Sequence, residues 1–276
     1  MRSHSVYRTW SARPADSRRG ELAKLSSPGV AVSSVSLQKR IIGGQNCKYN
    51  ERHYHVVLEG TNTTHISLCG GSLISDEWIL TAAHCWESDP GWINTALIGD
   101  HPKGLHQVET YTITHKEIYR DINNNEHDIM LLKLPKKITT IQPIKLPNCP
   151  HILPVGTRVQ IAGFGPAITG PNNLRIRHRP SDLQCAEIKI LQHGSSTFST
   201  HNPSYEYAHW SCTKSSTKDT SAGDSGGGWV FNDLLYGVHV LTGDAKYACN
   251  KPAYFMDVCG YKKWIDGTIK PPRNNG

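Results

Sequence analysis

This 276-residue chain has no apolar run of the about 18–20 residues that a membrane-spanning helix needs, which excludes a helical membrane anchor. Its eight cysteines include no CxxC pair, so the usual ligand spacing of a structural zinc site is missing. Outside the first forty residues it also lacks a charge surplus. Residues 1–40 hold 8 of the 30 basic and 2 of the 23 acidic residues, and so carry +6 of the net +7. The body is nearly neutral, which argues against a nucleic-acid-binding surface. No internal repeat is visible. Residues 1–25 are polar and basic with no apolar core, so they do not read as a signal peptide.

What is present points outward from the cell. Cysteines without metal spacing imply disulfides and an oxidising compartment. The sequon Asn62-Thr63-Thr64 is a glycosylation site in a secreted chain. Gly29-Val30-Ala31-Val32-Ser33-Ser34 has the small residues that end a signal peptide, and Met1 is read as an alternative start upstream of a secretory segment. Residues 1–40 are rich in Ser, Arg and Pro and are expected to be disordered. A boundary falls at Lys39-Arg40, before Ile41-Ile42-Gly43-Gly44. Beyond it, short apolar stretches alternate with turn residues: Tyr54 to Leu58, Gly71 to Ile74, Trp78 to Thr81, Met130 to Leu134, Val159 to Ala162 and Leu235 to Leu241. This spacing predicts an all-β pair of barrels. Val258, Tyr261, Ile265 and Ile269 recur at helical spacing, and Pro271-Pro272 ends that helix. The expected division is therefore a 1–40 segment, a 41–270 domain and a 271–276 tail.

Three motifs carry chemistry. Gly223-Asp224-Ser225-Gly226-Gly227 sets a serine among glycines that allow close approach to a substrate carbonyl. Upstream lie Thr81-Ala82-Ala83-His84-Cys85 and Asp128-Ile129-Met130-Leu131-Leu132. A serine hydroxyl is a poor nucleophile until a base takes its proton and a third group orients the base. The order His, Asp, Ser with these flanks resembles the chymotrypsin-type proteases, and residues 41–270 resemble the trypsin branch over their whole length. The resemblance implies two six-stranded antiparallel β-barrels with a C-terminal helix and the active site between the barrels. It makes Ser225 the nucleophile, His84 the general base and then acid, and Asp128 the carboxylate that fixes the His84 tautomer. The Gly223 and Ser225 amides would form the oxyanion hole.

The resemblance also implies an activation switch. Cleavage after Arg40 frees the Ile41 amino group, which turns inward to pair with Asp224. Asp219 becomes the floor of the specificity pocket, suited to a substrate Arg or Lys. The pocket walls depart from the trypsin pattern. Where trypsins read Ser-Trp-Gly, this chain has Val240-Leu241-Thr242 or, shifted by one, Leu241-Thr242-Gly243. Opposite, Lys251-Pro252-Ala253-Tyr254 replaces Pro-Gly. Thr242 and Ala253 are expected to intrude on the pocket and weaken turnover. The implied disulfides are Cys47–Cys185, Cys69–Cys85 and Cys149–Cys259. Cys212 and Cys249 either pair with each other or remain free thiols.

Gly99-Asp100-His101-Pro102-Lys103-Gly104 is too poor in carboxylates for a calcium loop, and no cofactor or metal is expected. His53 and His55 share a strand face and are read as solvated rather than metal-binding. The reading is a secreted, monomeric serine endopeptidase made as a zymogen. Its partners are protein or peptide substrates and protein protease inhibitors, with neither nucleic acid nor membrane. The alternative is a protease homologue with an obstructed pocket that acts as a protein-binding module.

Overall fold

The computed structural model describes residues 41–150, 152–194 and 210–270; the expected segment 1–40, with Arg40, and the tail 271–276 lie outside them. In chain order the strands are β1 (Gln45–Asn46), β2 (His55–Thr61), β3 (Ile66–Leu73), β4 (Trp78–Thr81), β5 (Ile93–Ile98), β6 (Glu109–Thr112), β7 (His115–Arg120) and β8 (Glu126–Lys133). Then come β9 (Arg158–Gly163), β10 (Ile168–Thr169), β11 (Arg175–Ile176), β12 (Gln184–His193), β13 (Trp210–Thr213), β14 (Gly228–Phe231), β15 (Leu234–Leu241) and β16 (Ala253–Asp257). A helix, α1 (Val258–Ile269), follows directly.

The fold is mostly β, as the alternating pattern predicts, and all the ladders are antiparallel. The second sheet runs β1-β12-β13-β16-β15-β14-β9, and a further β12–β9 ladder closes six of these strands into a barrel. The first sheet runs β6-β5-β2-β3-β4-β8-β7 and has no closing ladder among the described residues. Its two edge strands are consecutive in the chain, separated by Ile113 and Thr114 alone. Where a second closed barrel is expected, this half is an open sheet whose edges, among the described residues, are linked only by the chain.

Local chemistry explains the tight connections. β14 and β15 are joined by Asn232-Asp233, both at positive φ (48° and 57°), the two-residue turn that matches strand twist. At the helix start, the Asp257 side chain accepts the Cys259 amide at 2.9 Å and caps an otherwise unpaired donor.

Period-two alternation decides where the core lies. In β8, Ile129 and Leu131 enter one apolar cluster, and Met130 and Leu132 enter another. The second cluster fills the first sheet. The first lies between the sheets, where Leu80, Ile129 and Leu131 meet Val230, Val238 and Val240, and where α1 contributes Val258, Tyr261 and Ile265. Residues continuing from β4 and beginning β8 are thereby held at the seam between the two halves.

Three disulfides staple this arrangement: Cys47–Cys185, Cys69–Cys85 and Cys149–Cys259, with Cα separations of 4.9, 6.0 and 5.3 Å. Each lies within the span a disulfide accepts. Cys212 and Cys249 are free thiols, so the possible fourth bridge does not form. Cys212 is buried in the cluster between the sheets, on β13 opposite Tyr254, whereas Cys249 sits on the loop before β16 with its amide on Asp219.

Candidate active site

His84 lies in a single 3₁₀ turn, Ala83–Cys85, directly after β4. Asp128 lies on β8, which pairs with β4 in register from Thr81↔Met130 to Trp78↔Lys133. The pairing brings residues 44 apart in sequence into contact. The Asp128 carboxylate accepts the His84 backbone amide at 2.9 Å through Oδ1, and Oδ2 lies 2.7 Å from Nδ1 of the ring. Holding both the amide and the ring fixes the imidazole plane and leaves Nε2 directed away from the carboxylate. Burial opposes the imidazolium, but the Asp128 charge and hydrogen bond outweigh it, and the His84 pKa is raised above its ordinary value. The ring remains 37% exposed and the aspartate 10%, an arrangement open to a substrate on one side and dry on the other.

Ser225 is positioned through the backbone around it. Its carbonyl accepts the Gly70 amide of β3 at 2.6 Å; the Gly226 amide donates to the His239 carbonyl of β15 at 2.7 Å. Gly226 must be glycine twice over: its φ is +79°, and a Cβ there would meet Thr81 Oγ1 at 2.1 Å. Thr81 Oγ1 itself donates to the Gly70 carbonyl at 2.8 Å, tying the strand that precedes His84 to the strand that holds Ser225. Among the described residues, the Gly223 and Ser225 amides make no hydrogen bond within the chain. Gly223 has φ +99°.

Asp224 is buried, and its carboxylate accepts the Gly165 amide through Oδ1 and the Ser221 amide through Oδ2, both at 2.8 Å. Burial pushes its pKa up to about 6, and the two amides pull it back only partly. Ile41 is fully buried in the second barrel's cluster, beside Val159, Ile161 and Trp229, and Ile42 bridges to Asp219.

Over residues 41–265 the sequence matches the family model described as Trypsin. The chain belongs to the trypsin family of serine proteases. Trypsin-family relatives include Kallikrein-11 of Mus musculus, 30% identical over 96% of this chain and 94% of its own length, and Trypsin-3 of Salmo salar, 32% identical over 83% and 93%. Among solved structures, mouse neuropsin, a serine protease expressed in the limbic system, is 27% identical with a TM-score of 0.65. That match covers 82% of this chain and 98% of neuropsin.

Within this trypsin-family frame the specificity region departs from expectation. Asp219 does not present an open carboxylate. It is buried, accepts the Thr220 and Cys249 amides at 2.9 and 2.8 Å, and forms an ion pair with the guanidinium of Arg175. Burial raises the Asp219 pKa, and the Arg175 charge works against that rise. The Thr242 hydroxyl lies 3.1 Å from that of Thr220, the residue after Asp219. Gly243 backs onto the opposite loop, where a Cβ would lie 2.3 Å from the Lys251 carbonyl oxygen. Ala253 is buried on β16 opposite Thr213. Two small cavities, one lined by Leu58, Met130 and Leu132 and the other by Leu153, Ile190 and Phe255, include neither Ser225 nor Asp219.

Two residues of this region escape sequence reading. Arg175 sits in a polar stretch, 44 positions from its partner, and no local spacing marks it. His239 carries a visible signal, since it interrupts the apolar run of β15. Its ring stacks on Trp229 and its Nε2 lies 3.3 Å from Thr242 Oγ1. Burial lowers its pKa to about 3, reinforced by the His84 charge, so it is a neutral ring behind the His84–Asp128 pair. His55 differs from its expected solvation. It is buried against Phe164 at 5.8 Å and its pKa falls to about 3, chiefly by desolvation. Exposed or not, His53 engages the Tyr49 carbonyl at 2.9 Å.

Proposed function

We propose that this protein is a secreted serine endopeptidase in which Ser225 attacks the scissile carbonyl. The observation that carries the reading is the two-point grip of Asp128 on His84; the Ser225 backbone is tied to β3 through Gly70, and that of the next residue to β15 through His239. His84 takes the Ser225 proton and later returns it to the leaving amine, while Asp128 stabilises the imidazolium. The Gly223 and Ser225 amides receive the developing oxyanion, a contribution of about 3–4 kcal/mol per donor in comparable sites.

The chain is made as a zymogen and activated by cleavage after Arg40, which frees the Ile41 amine to pair with Asp224. Three disulfides and the Asn62 sequon, in the turn between β2 and β3, support export, with glycan on Asn62. No helix among the described residues is long and apolar enough to cross a membrane. It acts as a monomer on protein and peptide substrates, is subject to protein protease inhibitors, and prefers Arg or Lys before the scissile bond because Asp219 lies at the pocket floor.

A second reading, a non-catalytic homologue that binds proteins, is favoured by two contacts, Thr220–Thr242 and Arg175–Asp219, which occupy the region around Asp219 that the first reading gives to a substrate side chain. The test is fluorophosphonate labelling after cleavage at Arg40, with Ser225→Ala as control. Labelling at Ser225, with kcat on peptides falling about 10⁴–10⁶-fold in the variant and Tm unchanged, supports the enzyme. A silent, folded and cleaved protein supports the binding module.

A further inference from the structure

The chain contains a complete guanidinium site, and its own Arg175 fills it. Nη2 pairs with Asp219 Oδ2; Nη1 donates to the Thr220 carbonyl at 2.7 Å and to Ser221 Oγ at 2.9 Å; Nε donates to the Asp244 carbonyl at 2.8 Å. Four of the five guanidinium donors are therefore used. The Arg175 side chain is 8% exposed and that of Asp219 is 4%. A buried carboxylate needs such a partner, and this one has it without any substrate.

We infer that Arg175 is an intramolecular ligand of the Asp219 subsite, so that a basic substrate side chain enters only by displacing it. This rests on the reading of Asp219 as the floor of the specificity pocket. A second guanidinium would have to enter the same buried space beside Asp219 against the like charge of Arg175, which burial does little to screen. Arg175 therefore sets specificity. A neutral side chain does not compete for Asp219, whereas Arg or Lys binds in proportion to the fraction of molecules in which Arg175 has left.

The element carrying Arg175 is built to leave. β10 and β11 form a ladder of two residue pairs, Ile168↔Ile176 and Thr169↔Arg175. Ile168, Leu174 and Ile176 are 41%, 40% and 43% exposed, so little apolar burial holds the hairpin down. Its backbone attachment to the 244–248 loop is two bonds, Arg175 N to Lys246 O at 3.0 Å and Ala248 N to Asn173 O at 2.9 Å, besides the side-chain bond to the Asp244 carbonyl.

The experiment uses the full chain cleaved after Arg40. Benzamidine, whose planar amidinium presents similar donors, is titrated by calorimetry into wild type, Arg175→Ala and Arg175→Ala/Asp219→Asn, with fluorophosphonate labelling run in parallel. The expected result is that Arg175→Ala binds benzamidine at least about tenfold more tightly than wild type, and that the added Asp219→Asn removes the gain. Equal affinity in wild type and Arg175→Ala overturns the inference, as does a gain that survives Asp219→Asn. Labelling of Ser225 without any gain sinks the inference and leaves the enzyme standing. A gain without labelling sinks the enzyme and leaves the inference standing. If Arg175→Ala does not fold, Arg175→Gln, which keeps a donor for the Thr220 carbonyl, is read by the same criteria.

Discussion

A histidine buried in an apolar strand is held neutral by desolvation, and two such residues make this fold sensitive to acid. His239 and His55 are both buried with pKa values of about 3, against an ordinary 6.5. Between those values the unfolded chain binds protons that the folded chain refuses. The stability they allow is therefore complete above pH 6.5 and is lost as pH falls toward 3. His239→Phe keeps the stack on Trp229 and removes the titration. The Tm difference between variant and wild type is expected to move in the variant's favour from pH 7 to pH 4. A difference that stays constant across that range overturns the neutral-histidine assignment.

At the scale of elements, what repeats locally was legible and what meets across the chain was not. The apolar alternation located β4, β8, β9 and β15, and the spacing of Val258, Tyr261 and Ile265 located α1, because each pattern is set by the strand or helix it forms. The three motifs single out His84, Asp128 and Ser225 for the same reason, since their flanks are contiguous; of these the structure joins His84 to Asp128. The two-residue strands β10 and β11 have no periodicity to read, so the hairpin and the role of Arg175 stayed hidden. The shared face expected of His53 and His55 does not exist, because β2 begins at His55 and His53 lies in the turn before it; His55 is covered by Phe164 from the other half of the molecule.

The proposed pocket wall is another element-scale feature, and its prediction depends on which side chains point in. Thr242 reaches Thr220 from the loop after β15, and Ala253 opens β16. Changing both to Gly removes atoms from both walls. The pair of changes is expected to raise kcat/KM on an Arg reporter relative to an Ala reporter by about tenfold, the range that one or two carbons in a pocket are worth. A smaller share of the gain should come from Ala253, whose side chain is buried in the sheet. An unchanged Arg-to-Ala ratio removes both residues from the pocket wall.

Activation belongs to the whole molecule, since it links the chain's boundary at Arg40 to the loop that holds Ser225. In the intact chain Asp224 has two amides as hydrogen-bond partners, and burial holds its pKa at about 6 against an ordinary 3.8. A raised carboxyl contributes stability that is complete below pH 3.8 and lost as pH rises through 6, because above that the folded state must hold a poorly paired charge. In the proposed switch, cleavage after Arg40 would supply the Ile41 amine, and pairing with it would reverse the sign: the carboxylate would then stabilise the fold at neutral pH. Two measurements follow from one substitution. In an Arg40→Gln chain, which stays intact and inactive with trypsin-like activators, Asp224→Asn is expected to raise Tm at pH 8 and to have little effect at pH 4. In the chain cleaved after Arg40, Asp224→Asn should instead lower Tm at pH 8 and abolish peptide hydrolysis. Comparing variant with parent at each pH cancels the contribution of the buried histidines. If Asp224→Asn changes Tm by the same amount before and after cleavage, the Ile41 amine is not its partner and the switch is wrong; full activity of the intact Arg40→Gln chain leads to the same conclusion.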